Sequence, residues 1–287
     1  MNKLAIGTYS FGFGMDLASK LRTAASYGYT GIEFLEQDLK GADVGALKAL
    51  LAETGLEATS AHCMPDGMRE VAPVLAALGG KLLIAPMLQF ADRDETVRTA
   101  KMLEEKGREV RQHGVVVGYH NHTEEFNVDA GLTLEEHLLA NTDPSLVTFQ
   151  LDCGWAAAAG VDCPAFLRKH AGRFRSIHVK ENDRFTGPQP ALRMDAPRGG
   201  FKVERDADGK PIMTEELKAM LAAMRERTKI QCRMGAAESR IDWKAVQAAC
   251  AVQGHDVLWV VERENDYLGT GMLDCLREDA EWLKANL

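Results

Sequence analysis

Short apolar runs alternate along this chain with longer stretches in which apolar residues recur every three or four positions. The runs begin near Leu4, Gly31, Glu57, Lys81, Val115, Val147, Arg175 and Asp256. Brief β-favouring runs separated by helical patterns read as parallel β-α-β units. Eight such repeats over roughly 250 residues predict a closed (β/α)8 barrel, with residues 1–287 forming a single domain. Several of the intervening helices are legible. Residues 16–26 carry Leu17, Leu21 and Ala25 at helical spacing, and Gly28 comes next as a stop. Residues 44–53 repeat the pattern and end at Gly55. Residues 94–112 open on Asp94 and Glu95 and close at Gly114, with Arg111 in the last turn, where the helix dipole favours a cation.

One interval breaks this rhythm. About 80 residues separate His178 from Val257, where a β-α-β unit needs roughly 30. Residues 183–240 therefore read as an insertion between the seventh and eighth strands. Its first half is rich in Gly, Pro, Asp and Arg, with turns marked by Gly199-Gly200 and Asp208-Gly209. Residues 214–227 read as a helix striped by Leu217, Met220, Leu221 and Met224, and Asp242 is placed to cap another. Long insertions in compact domains are commonly lids, binding loops or interface elements. Because this one comes directly after the strand that ends at His178, it is expected over the barrel mouth, with Arg193, Arg198 or Arg233 facing the substrate.

Composition narrows the class. Hydrophobic residues make up 46% of the chain and charged ones 26%, as in an ordinary globular protein with a large core. A net charge of −8 argues against a nucleic-acid surface. The opening residues lack the pattern of a secretory signal, and no apolar run reaches the about 18 residues a membrane span needs. Six scattered cysteines without a Cys-x-x-Cys pair read as reduced thiols in a core. A cytoplasmic protein is expected, with no membrane partner and with homo-oligomers left open.

Four of the apolar runs stop at residue types that are costly to bury alone. The fifth runs into Tyr119-His120-Asn121-His122-Thr123-Glu124-Glu125, the sixth ends at Asp152, the seventh at His178-Val179-Lys180 and the eighth at Glu262. In a parallel barrel the C-terminal strand ends share one face, where catalytic groups are found. His120 and His122, two apart, project to the same side. A nitrogen- and oxygen-rich set without thiolate suits one divalent ion, Mn²⁺ first, with Mg²⁺, Co²⁺ or Zn²⁺ as alternatives. Each residue also has a plainer reading: Asp152 as a helix-entry residue, His178 as a hydrogen-bonded core histidine, Glu262 as part of the charged run Glu262-Arg263-Glu264-Asn265-Asp266. Their shared order and placement favour the metal. His62 and Glu33, on the third and second strands, are candidates for substrate contact, and Trp155 offers a flat face for a sugar ring. His113, His137, His170 and His255 are expected on the surface.

The stretch from Tyr119 to Phe126, then Leu151-Asp152-Cys153-Gly154-Trp155 with its alanine run to Gly160, then Ile177-His178-Val179-Lys180 and Val260-Val261-Glu262, resembles the sugar phosphate isomerase/epimerase family of xylose-isomerase-like TIM barrels. The resemblance spans nearly the whole chain. It implies one divalent metal held by Glu, Asp, His and Glu, which map onto Glu125, Asp152, His178 and Glu262. Many relatives end the fifth strand in a metal-binding Glu where this chain has His120. Relatives with a His-x-His strand, such as inosose dehydratases, take the carboxylate from beyond the second His, so Glu125 is the transferred ligand, with Glu124 and His120 as rivals.

The chemistry this implies is proton transfer next to a carbonyl of a sugar or polyol-derived substrate. Glu262 would act as base, Glu125 as a second carboxylate on the opposite face, and Lys180 or His122 as acids. Epimerisation and isomerisation then lead, with β-elimination by a dehydratase or lyase as the runner-up; His120 joins the substrate contacts. Two further readings are a non-catalytic sugar-binding subunit and an endonuclease-IV-like phosphodiesterase, which would need more metal ligands and a basic DNA face.

Overall fold

The computed structural model describes residues 3–12, 14–189, 212–215, 217–219, 222, 232–267 and 269–287. Ten strands form in chain order: β1 (Leu4–Gly7), β2 (Gly31–Leu35), β3 (Glu57–His62), β4 (Leu82–Ala85), β5 (Val116–His120), β6 (Val128–Asp129), β7 (Leu132–Thr133), β8 (Val147–Asp152), β9 (Phe174–Val179) and β10 (Leu258–Val261). β6 and β7 make a small antiparallel hairpin, and the other eight close into a parallel barrel. The barrel shuts where β1 pairs with β10, Leu4 opposite Trp259 and Ile6 opposite Val261. Each barrel strand starts within two residues of the run that announced it.

Helices surround the ring: α1 (Leu17–Ser26), α2 (Glu36–Leu39), α3 (Val44–Thr54), α4 (Met68–Leu78), α5 (Arg93–Val110), α6 (Leu134–Ala140), α7 (Cys153–Ala159), α8 (Cys163–Lys169), α9 (Trp243–Cys250) and α10 (Met272–Asn286). Aspartates cap many of them. Asp16, Asp43, Asp92 and Asp242 each accept a backbone N–H from the first turn of the helix they precede, satisfying donors that a helix start leaves unpaired. Gly55 ends α3 with φ +70°, a left-handed conformation that a side chain would strain.

The core lies between the outer faces of the strands and the helices, where Phe34, Leu83, Tyr119, Phe149 and Ile177 are fully buried. The inside of the ring is different: it is polar. Gln150 on β8 donates to Glu33 on β2, 2.8 Å away, and to Ser176 on β9 at 2.9 Å; His62 on β3 lies 2.9 Å from the Gln150 side-chain oxygen. Neither β2 nor β3 neighbours β8 in the ring, so the bonds from Gln150 to Glu33 and His62 cross the lumen and tie opposite walls together. All six cysteines are buried and unpaired, and no described helix is long and apolar enough to cross a membrane.

Of the expected insertion, Arg193, Arg198, both glycine turns and most of 214–227 lie outside the described residues. Glu181, just past β9, anchors the far end of the insertion and the start of α9: it accepts from the Gly235 amide at 3.0 Å, the Trp243 indole at 2.9 Å and the Ser239 hydroxyl. Arg233, the one of the three arginines within the described residues, is half-exposed. It pairs with Glu278 of α10 at 2.8 Å, a carboxylate already beside it on the helix layer.

Candidate active site

The ends of β5, β8, β9 and β10 bring His120, Asp152, His178 and Glu262 together, with one ligand-type atom from each within 4.8 Å of the others. All four are buried. Asp152 divides its oxygens: Oδ1 accepts the Trp155 amide at 2.7 Å and caps α7, while Oδ2 has no hydrogen-bond partner and lies 3.7 Å from His178 Nδ1. His178 Nδ1 also meets Glu262 Oε2. His120 Nδ1 is likewise buried without a partner. A carboxylate oxygen and an imidazole nitrogen left bare in a dry site are each costly. Two imidazoles and two carboxylates that converge with bare donor atoms fit a divalent cation.

Glu33 supports this cluster from beneath. Its Oε1 accepts from His178 Nε2 and the Tyr9 hydroxyl, each at 2.8 Å, and its Oε2 from the Ser60 hydroxyl at 2.7 Å and from Gln150. Burial opposes a charge there, but the rings of His62 and His178 hold the carboxyl well below the usual range. Every hydrogen bond of Glu33 is internal and none of its surface is exposed. Its bond to Nε2 turns Nδ1 of His178 toward Asp152 and Glu262, the arrangement by which an outer carboxylate orients a metal-binding histidine.

Glu125 is also placed differently from the sequence expectation. After β5 the chain tightens into a single 3₁₀ turn (Glu124–Phe126), which folds Glu125 back onto its own strand. Tyr119 donates its hydroxyl to Oε1, and the His122 amide donates to Oε2 at 2.8 Å. Burial and the neighbouring Glu124 push the carboxyl up to about 7, against those hydrogen bonds. Both of its oxygens are hydrogen-bonded to β5 and the turn after it, and the residue that groups with Asp152, His178 and Glu262 is His120. The other rival, Glu124, accepts from the Thr123 amide and hydroxyl.

Lys180 lies beside the cluster, 1% exposed, with Nζ 3.0 Å from Glu262 Oε1 and 2.8 Å from Glu264. Burial disfavours its charge, but Glu262 and Glu264 outweigh that and raise its pKa. The same pair works in reverse on Glu262, which Lys180 and His178 hold well below the usual range in spite of burial. The ammonium sits over the Trp155 ring, 4.2 Å from its centre, so one face of the indole meets a cation. Gly154 makes this possible: a Cβ there would stand 2.7 Å from the Lys180 carbonyl oxygen. His122 packs edge-on against His120 at 4.9 Å and remains partly exposed.

His62 is stacked on His178 at 5.2 Å and on Tyr9 at 5.3 Å. A cavity of about 310 Å³ opens beside it, lined also by Gln37, Lys40, Met64 and Pro86. Tyr9, Ser60, Gln150 and Ser176 were missed in the sequence. A signal for three of them existed, since Ser60/His62, Gln150/Asp152 and Ser176/His178 are spaced two apart on strands and share a face. His137 is a further correction: it is buried, its Nε2 2.8 Å from the Asp129 carbonyl.

No family model matches the chain. An inosose dehydratase from Halalkalibacterium halodurans is 34% identical over 95 residues, a match that covers 32% of this chain and only 29% of that relative. Among solved structures, a sugar phosphate isomerase/epimerase from Parabacteroides distasonis aligns with a TM-score of 0.71 at 20% identity, over 99% of this chain and 94% of the other. The 3-keto-D-glucoside 4-epimerase of E. coli aligns with a TM-score of 0.65 at 14% identity, over 99% of each. At these identities the likeness is one of fold.

Proposed function

We propose that this chain, which has the fold of the xylose-isomerase-like TIM barrels, is a divalent-metal-dependent enzyme that moves a proton next to the carbonyl of a sugar or keto-sugar. The observation that carries this reading is the pair of bare atoms, His120 Nδ1 and Asp152 Oδ2, within a buried four-residue cluster. His120, Asp152, His178 and Glu262 would hold the ion, which when bound polarises a carbonyl and steadies negative charge on its oxygen. Glu262 is the base. Its neighbours keep it ionised, and it takes the α-proton, leaving the electron pair in an enolate. His62 and the Trp155–Lys180 pair bound the space where the sugar would lie. Return of the proton to the former carbonyl carbon, with the α-hydroxyl proton passing to the former carbonyl oxygen, gives ketose–aldose isomerisation.

A second reading is favoured by the position of Glu125. Epimerisation through two carboxylates needs one on each face of the substrate, and Glu125 is bonded to Tyr119 and His122 instead. One carboxylate beside one ammonium suits elimination equally well: Glu262 removes the α-proton, the pair expels a β-hydroxyl, and Lys180 protonates the leaving oxygen as water. The short match to inosose dehydratases points the same way.

Two measurements test the proposal. Protein purified without chelator should carry close to one Mn, Mg, Co or Zn per chain, and keto-sugars in D₂O should gain deuterium next to the carbonyl. Glu262→Gln should abolish that exchange while the protein remains folded. Undiminished turnover in EDTA would sink the metal, and equal exchange in the variant would remove Glu262 from the base role. NMR of the product separates an isomer from a dehydrated enone.

A further inference from the structure

A concavity of about 920 Å³ lies at the opposite end of the barrel from the His120–Asp152–His178–Glu262 cluster. It opens where strands begin: Glu57, Leu82 and Leu258, the first residues of β3, β4 and β10, all line it. Its volume is in the range of small-molecule sites, about 300–1,000 Å³. We propose that this bowl is a second binding site, for a small oxyanion or the anionic end of a metabolite, held by Lys81 and Arg175.

The charge of the lining supports this. Lys3 and Glu57 neutralise each other at 2.6 Å. Lys81 and Arg175 remain, with Asp256 the one acid against them, and neither cation has a side-chain partner among the described residues. Other surface cations, such as Arg22 with Glu53 and Lys40 with Glu70, do have acid partners. Two unpaired cations in one concavity focus a positive field. His255 adds an independent observation. It lines the same bowl, and both its ring nitrogens are buried without a partner. An imidazole always has at least one N–H to give, and that of His255 has no acceptor among the described residues. Leu82 and Leu258 supply an apolar floor for a carbon skeleton.

Isothermal titration with inorganic phosphate at fixed ionic strength tests the site. Saturable binding of one phosphate per chain is expected in the natural protein and in Asp152→Ala, with at least a tenfold loss in Lys81→Ala/Arg175→Ala. Circular dichroism establishes that the double variant is folded, and Lys81→Glu alone carries the test if it is not. Non-saturating heat in the natural protein, or undiminished affinity in the substituted bowl, would overturn the proposal. So would loss of binding in Asp152→Ala alone, which would place the anion at the metal cluster.

Discussion

Asp152 shows how closely two readings of one residue can coincide. It is a helix cap through Oδ1 and a bare cluster oxygen through Oδ2, so the choice between structural and catalytic aspartate was never exclusive. Glu125 shows the reverse case. Its sequence position suits a metal ligand, but the direction of a side chain in a tight turn depends on what it can bond, and Tyr119 and the His122 amide were nearer. The ligand set is therefore testable residue by residue: His120→Ala should lower bound metal at least tenfold by elemental analysis, and Glu125→Ala should leave it near normal. The reverse result would restore Glu125 to the ion. Glu125 also makes a pH prediction. Its carboxyl is raised to about 7 by burial and by Glu124, with the buried Glu135 also near. The folded state thus holds this proton more tightly than the unfolded chain does. Its contribution to stability is full below the ordinary carboxyl range and is lost as pH rises through about 7, a change of roughly 3 kcal/mol. Thermal melts across pH 4–8 should show that decline, and Glu125→Gln should flatten it; parallel curves would assign the slope to other groups.

At the scale of elements, the strands were legible because each is apolar, brief and succeeded by a helical pattern, and α1, α3 and α5 because capping aspartates and stop glycines bracket them. The β6–β7 hairpin was not, since two-residue strands carry no periodicity, and α6, α7 and α8 are only seven residues each. The start of α7 is where helix placement and chemistry meet. Gly154 lets the helix pass against the Lys180 backbone, which an alanine Cβ at 2.7 Å would push aside. Crowding of this kind typically costs about 1–3 kcal/mol. We expect Gly154→Ala to melt earlier and to exchange α-protons at least tenfold more slowly, because Lys180 would shift from Glu262. A variant matching the natural protein in both measurements would show that the backbone yields freely there.

For the whole molecule, the sequence pointed to a ring of polar strand ends, which the fold brings together, and gave no sign that the ring is wired internally. The cross-lumen bonds from Gln150 to Glu33 and His62 join residues about 90 to 120 positions apart, and no local pattern announces such partners. The closure between β1 and β10 has a consequence in time as well as in space. Leu4 and Trp259 are roughly 250 positions apart, and pairings of such separation form slowly because most of the chain must first be brought into register. Glu262 comes directly after β10, so the proposed base would reach its place only when this last seam is sewn. In refolding monitored by pulsed hydrogen exchange, the amides of β10 should gain protection after those of β3 to β5. Simultaneous protection of all eight strands would mean that the ring condenses in one step.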